Sequence, residues 1–366
     1  MTASAASLGA RELLGNVFES AELAAEYPLV FGPDATGETI ELVEDGEVRA
    51  ACALLVREFR VGPRRVRGGL IGSVASAPAW RGRGLGTRLL AEAEGTLRTR
   101  GCVFALLWAN DPGFYLARGY APFGVECDTL LVSDLAPALP EASGVRALRP
   151  GDEPFLQRLY LRHAARVERT LDETRALLAV PGMLTLVRER AANAAQPAQP
   201  VAYACLGRGR DLADVVHEWG GEPEDVLALL RAHLERRFPA GESGALFLMT
   251  PPCEAELVYR LLELGAVSKR GILGLGKLLD LARAGELLGA VLGGSVLGQT
   301  ASVTPAEHTL ALRGPSGRAE LTPDTLQALL FGGPEVGDEA RALLTRLGLQ
   351  HATLPLEPFA FGLDSI

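Results

Sequence analysis

The chain has 366 residues, with 36 Lys and Arg against 45 Asp and Glu and a net charge of −9. That length accommodates two or three domains, each with its own core. The acidic balance argues against a general nucleic-acid or anionic-membrane binder, because both rest on clustered Lys and Arg. The five cysteines (Cys52, Cys102, Cys127, Cys205, Cys253) and five histidines are scattered, with no CxxC and no HExxH. No disulfide framework and no metal are expected, and the cysteines read as small buried hydrophobes. The N-terminus shows no signal peptide. A charge-free stretch at 287–306 is too broken by Gly, Ser, Thr and Pro to span a membrane. A cytoplasmic protein is expected.

The first segment opens with helical periodicity over 11–26. Strands are expected at 39–44 and 48–58, joined by the Asp45-Gly46 turn signal. A third apolar strand at 70–76 leads into the glycine-rich stretch 81–86. An amphipathic helix follows at 86–100, then a buried strand at 102–108 and a short helix around 113–118. Strands interleaved with helices and preceded by hairpins indicate an α/β unit with a mixed sheet.

After a loose stretch at 137–144 the order repeats. A strand is expected at 145–148, helices within 153–179, strands at 183–188 and 201–206 flanking a solvated Ala/Gln/Pro loop at 191–200, and a strand at 214–219. A helix at 222–237, a strand at 245–249 and a helix at 254–264 complete the segment. The third segment has a helix at 276–291, strands at 299–304, 308–313 and 317–321, and helices at 323–331 and 337–347; Thr322-Pro323 is a helix-start signal. Its final stretch, 355–366, stays apolar to Ile366, whereas most termini are polar and frayed. It is expected to be packed.

The strongest chemical signal is Ser73-Val74-Ala75-Ser76 running into Arg81-Gly82-Arg83-Gly84-Leu85-Gly86-Thr87. A strand enters a glycine turn that opens directly into a helix. Glycines let successive N–H groups converge, and the helix N-terminus adds unpaired N–H groups and a positive dipole end. Together these make an anion site suited to a diphosphate. A P-loop is excluded because no Lys-Ser/Thr follows, and a dinucleotide fingerprint because the third glycine comes one residue early.

What remains, R-x-x-G-x-G after a strand, resembles the acyl-CoA pyrophosphate loop of the GCN5-related N-acetyltransferase (GNAT) superfamily. Some 25 residues later, Asn110-Asp111-Pro112-Gly113-Phe114-Tyr115 with Gly119-Tyr120 is similar to that superfamily's second element. The three-segment order resembles the enhanced-intracellular-survival (Eis) type. This implies a GNAT domain at 1–140, a degenerate GNAT-like domain at 145–275 and a sterol-carrier-protein-like α+β domain at 276–366. The second unit departs from the pattern: after its strand comes Gly220-Gly221-Glu222-Pro223-Glu224-Asp225, with carboxylates where phosphate would sit.

The resemblance implies acetyl-CoA as cosubstrate and a small-molecule or peptide primary amine as acceptor, such as an aminoglycoside, a lysine side chain or a polyamine. Val74, Ala75 and Ser76 would line the pantetheine, with an oxyanion donor near Ser76. Arg81, Gly82, Arg83, Gly84, Leu85, Gly86 and Thr87 would hold the pyrophosphate, and Asn110 and Asp111 would flank the thioester. Tyr115 matches the family's acid. No carboxylate lies at 69–77, so the resemblance makes the Ile366 carboxylate the expected base or amine anchor, with Glu218 and Asp364 as secondary candidates. Relatives form symmetric oligomers, often hexamers, so self-association is expected. Arg57, Arg60, Arg64, Arg65 and Arg67 read as a solvated hairpin, or as a contact for an acidic partner or the CoA 3′-phosphate. Competing readings are a non-catalytic acyl-CoA sensor or scaffold and a lipid carrier.

Overall fold

The computed structural model describes residues 5–20, 22–190, 198–293, 302–305, 308–350 and 352–366, with backbone only at 305, 336 and 337. Residues 191–197 of the expected loop, the strand start at 299–301 and residues 294–301 and 306 of the charge-free stretch lie outside these residues, and the end of the expected loop is instead strand from Gln199. Among the described residues no helix is long and apolar enough to cross a membrane.

The fold is mixed α/β, as expected. The first sheet runs, in spatial order, Glu38–Glu44, Glu47–Val61, Arg64–Ser76, Phe104–Leu107, Gly274–Leu278 and Ala121–Phe123, with Ala165–Val167 added beside Glu47–Val61. The second runs Val267–Gly271, Glu126–Val132, Ala245–Thr250, Val215–Gly221, Gln199–Leu206, Leu184–Arg190 and Val145–Ala147. A three-stranded sheet of Ser302–Pro305, Leu310–Gly314 and Gly317–Leu321 belongs to the third segment. Pairing is antiparallel except for one contact in each large sheet: Arg64–Ser76 with Phe104–Leu107, and Val215–Gly221 with Ala245–Thr250. In both sheets the parallel neighbours are joined by a long helix, Leu85–Thr99 and Pro223–Arg237 respectively.

The two large sheets exchange strands. Gly274–Leu278 enters the first sheet between Phe104–Leu107 and Ala121–Phe123. Glu126–Val132, which follows Ala121–Phe123 in the chain, instead lies in the second sheet between Ala245–Thr250 and Val267–Gly271. The helix expected from 276 therefore begins at Leu281, because residues 274–278 are a strand. Likewise Ala165–Val167 interrupts the helices expected across 153–179.

The Leu85–Thr99 helix buries Leu85, Leu89, Leu90, Ala93 and Leu97 against Ile40, Leu42, Cys52 and Ile71 on one face of the first sheet. Each fully buried leucine contributes about 1.5–3 kcal/mol. The Leu8–Phe18 helix covers the other face, over Ala51, Ala53 and Ala75. The third segment joins through Phe331, which stacks on Phe123 at 5.1 Å between ring centroids, and through Gln327, which bonds the main chain of Leu278 and Gly276. Four cysteines are buried as expected; Cys253 is exposed. The packed tail is observed: Phe359, Ala360, Phe361, Leu363 and Asp364 are essentially inaccessible.

Candidate active site

The Arg64–Ser76 strand is regular against Glu47–Val61 as far as Gly72, opposite Ala53; pairing resumes at Ala75, opposite Ala51. Ser73 and Val74 thus face the single residue Cys52, and Ser73 takes φ of 49°, outside the extended range. This is a β-bulge, which bends the strand and re-aims the side chains around it. On the other edge, parallel pairing with Phe104–Leu107 covers only Gly68–Leu70. From residue 71 onwards this edge has no ladder pairing with that strand, an opening in the sheet's hydrogen bonding beside Val74, Ala75 and Ser76. A cosubstrate chain could lie there against main-chain groups.

The strand runs out of this opening into the glycine turn. Gly82 and Gly84 have φ of 77° and 79°, a conformation that strains any residue with a Cβ, and a Cβ on either would meet nothing. Gly84 is the N-cap of the Leu85–Thr99 helix; no side chain caps it and no acid stands in its first turn. The helix end is therefore electropositive and open. Arg81, Gly82, Arg83, Gly84 and Thr87 are exposed around it, Gly86 is half-buried and Leu85 is in the core. Arg83 and Arg49 lie 4.4 and 4.8 Å from the centroid of Trp80. These geometries fit a diphosphate.

Arg118 was not singled out by its sequence context. Its guanidinium donates to Thr87 Oγ1 at 2.7 and 3.0 Å and to the Phe114 carbonyl, and stacks on the Phe114 ring at 3.7 Å. It thereby ties the helix N-terminus to the Gly113–Leu116 turn that carries Tyr115. The spacing from Tyr115 puts residue 118 one turn on, but nothing in the residue type reveals the reach to Thr87.

Tyr115 is half-buried, edge-on to Phe114 and Tyr120 at 5.1 and 5.8 Å. Burial, and then its proximity to Cys52, raises its pKa above the ordinary phenol value, so it stays protonated. It packs on the helix-covered face of the first sheet, beside Cys52 and Ile71. Burial pushes the Cys52 thiol up to about 12. Asn110 and Asp111 are exposed at the start of the turn, where Asp111 accepts the Gly113 N–H at 3.1 Å.

On the opposite face, Ile366 joins the cluster of Ala51, Ala53 and Ala75. Its carboxyl carbon and oxygen lie so close to Gly72 that any Cβ there would collide with them. The Ile366 carboxyl group and Tyr115 therefore flank the bulged stretch from its two faces. Glu218 and Asp364 do not reach this stretch as bases. Both are buried and bound to Arg169, at 2.8 and 2.6 Å. The arginine cluster stands towards the far end of its hairpin, about 26–40 Å along the strand from Ser76 at some 3.3 Å per residue. It is not a simple solvated hairpin: Arg57 is buried on Glu173, Arg67 pairs with Glu58 and Arg65 with Glu168.

Residues 8–123 match the family model described as an acetyltransferase (GNAT) domain. No curated protein matches the chain. Among solved structures, the chain is similar to a GCN5-related N-acetyltransferase from Anabaena variabilis ATCC 29413 (TM-score 0.67, 14% identity, 100% of both chains covered). It is also similar to one from Kribbella flavida (TM-score 0.60, 18% identity, 99% of this chain and 94% of that). A third is Eis1 from Mycobacterium abscessus (TM-score 0.58, 16% identity, 98% and 99%). At these identities the likeness is one of fold. The chain carries a GNAT acetyltransferase domain and is an acyltransferase. The chemistry of that family is acyl transfer from acetyl-CoA.

Proposed function

We propose that the protein acetylates a primary amine by direct attack in a ternary complex, with the Ile366 carboxylate as base or amine anchor and Tyr115 as acid. The observation that carries this reading is the seat of the Ile366 carboxyl group on Gly72, across the bulged strand from Tyr115. Acetyl-CoA supplies the thioester. The main chain of Val74, Ala75 and Ser76 lines its pantetheine arm, and an N–H near Ser76 faces the developing oxyanion. Residues Arg81 to Thr87 take the pyrophosphate, with Asn110 and Asp111 at the thioester end.

A lysine-like amine has a reference pKa near 10.4 and must lose a proton before attack. The strand offers no carboxylate at 69–77, so the Ile366 carboxylate takes that role. Tyr115, held protonated by burial, gives its proton to the departing thiolate. Direct transfer is favoured over an acyl-cysteine because Cys52, the thiol opposite the bulge, is kept neutral and buried.

The Eis-type arrangement of units 1–140, 145–275 and 276–366, the last sterol-carrier-like, accords with the full-length similarity to Eis1 and with the matching strand orders of the large sheets. A cytoplasmic homo-oligomer acting on an aminoglycoside, lysine side chain or polyamine completes the proposal. The test is thiol release from acetyl-CoA with a panel of such amines, comparing wild type, Tyr115→Phe and deletion of Asp364–Ile366. Turnover lost in both variants is expected. No turnover by wild type with any amine, despite acetyl-CoA binding, would favour the sensor reading.

A further inference from the structure

The tail that ends on Gly72 is anchored on the second sheet. Arg169 is fully buried. Its Nε donates to Asp364 Oδ1 at 2.6 Å, and its two terminal nitrogens grip both Glu218 oxygens at 3.2 and 2.8 Å. Tyr160 donates to Asp364 Oδ2 at 3.1 Å and Tyr203 to Glu218 Oε1 at 2.9 Å. Arg169 follows Ala165–Val167, which pairs with the first sheet, whereas Glu218 stands on the Val215–Gly221 strand of the second. One guanidinium thus joins both sheets to the tail. A second buried arginine, Arg208, donates to the carbonyls of Gly362 and Glu26 and to Ser365 Oγ.

The place where the tail lands is distinctive. In the second sheet, Cys205 faces Glu218 and Leu206 faces Val216, so His217 is the bulged residue, just where parallel pairing with Ala245–Thr250 ends. Ser73 and Val74 form the corresponding bulge of the first sheet, a few residues beyond its last parallel pair at Leu70. Gly362 packs directly on the His217 ring, so closely that a Cβ would collide. Burial, and next the charge of Arg208, push His217 down to about 3, leaving a neutral imidazole beneath the tail. The tail therefore spans from one bulge to the other in the five residues from Gly362 to Ile366.

We infer that the second half of the molecule is the docking frame for the Ile366 carboxylate, and that Arg169 is the positioning residue that fixes its reach to the bulge of the first half. This rests on the reading of that carboxylate as the base. Asp364 is the tail's side-chain contact with this buried cation, and removing one partner of such a cluster is costly. The gain is geometric: a base displaced by about 1 Å can lose about 10²-fold in rate.

The test uses the full chain, measuring thiol release from acetyl-CoA with whichever panel amine turns over, and folding by circular dichroism. Asp364→Asn and Arg169→Lys should lower kcat at least tenfold while leaving KM for acetyl-CoA within twofold. Added acetate should restore part of the turnover in these variants and in the Ile366 deletion, but not in Tyr115→Phe, a rescue that loss of packing alone would not show. Because a buried charge variant can misfold, a glycine inserted between Asp364 and Ser365 serves as a second probe. It leaves the three buried charges paired and displaces the carboxyl group by about 3.5 Å, and should lose activity equally. Full kcat in the insertion and in Asp364→Asn, with the Ile366 deletion inactive, would overturn the clamp and leave the base standing. Full activity of the Ile366 deletion would overturn both.

Discussion

The two large sheets have the same strand order around their parallel pair, yet opposite electrostatics at the helix that follows it. The Leu85–Thr99 helix starts at Gly84 with no capping side chain and no acid in its first turn. The Pro223–Arg237 helix starts at Glu222 with Pro223, Glu224 and Asp225 in its first turn. Those acids answer its dipole, and Arg188 and Arg260 pair with them in turn. One helix end is left uncapped and without acids, while the other carries the chain's own carboxylates. A similar backbone does not make a similar site; what separates them is a handful of residues at one turn.

The largest effect is expected at Tyr115, the proposed acid. Tyr115→Phe should lower kcat about 10²-fold or more, with acetyl-CoA binding unchanged by calorimetry. Because burial raises the Tyr115 pKa above its ordinary 10.0, the phenol stays protonated through neutral pH. No basic-limb loss of wild-type kcat from this group should appear below about pH 10. Next comes the turn itself. Arg83→Glu with Thr87→Glu writes the acidic pattern of the second helix onto the first and should raise KM for acetyl-CoA roughly 30-fold at low salt, less at high salt. An unchanged KM would mean that the diphosphate is held elsewhere. A smaller change, about fivefold in KM, is expected for Arg118→Ala, which cuts the tie from Thr87 to Phe114 without altering either motif.

The motif at 73–87 and the one at 110–120 were legible because their chemistry is local: glycines, a strand and a helix start that touch in sequence. The bulge was not, since Ser73 and Val74 carry no mark of facing a single residue until Cys52 is set opposite them. The strand exchange was hidden for the same reason. The helix expected from 276 overlaps Gly274–Leu278, whose partners at 104–107 and 121–123 lie some 150 to 170 residues away. Burial of the apolar tail was readable from its composition. The roles of Glu218 and Asp364 were not, because both count as candidate bases until Arg169, remote from each in sequence, is seen between them.

The halves are also joined by charge, and here the expected effect is on stability alone. Arg57 of the first sheet and Glu173 of the Leu171–Leu178 helix form a pair whose side chains are 7% and 12% exposed. Burial alone would raise the Glu173 pKa, but the charge of Arg57 and hydrogen bonds from Arg57 and Thr170 outweigh it and hold the carboxyl below its ordinary 4.5. A depressed folded value means that this stabilisation is complete above the unfolded pKa and fades as pH falls through the folded one. Glu173→Gln should therefore cost about 2 kcal/mol at pH 7 by denaturant unfolding, and the gap from wild type should narrow below about pH 4. Arg65 with Glu168, whose side chains are 65% and 25% exposed, supplies the control: Arg65→Ala should change stability by less than about 0.5 kcal/mol. If the two variants cost the same, the contact between the halves is held by apolar packing, and the buried ion pair adds nothing to it.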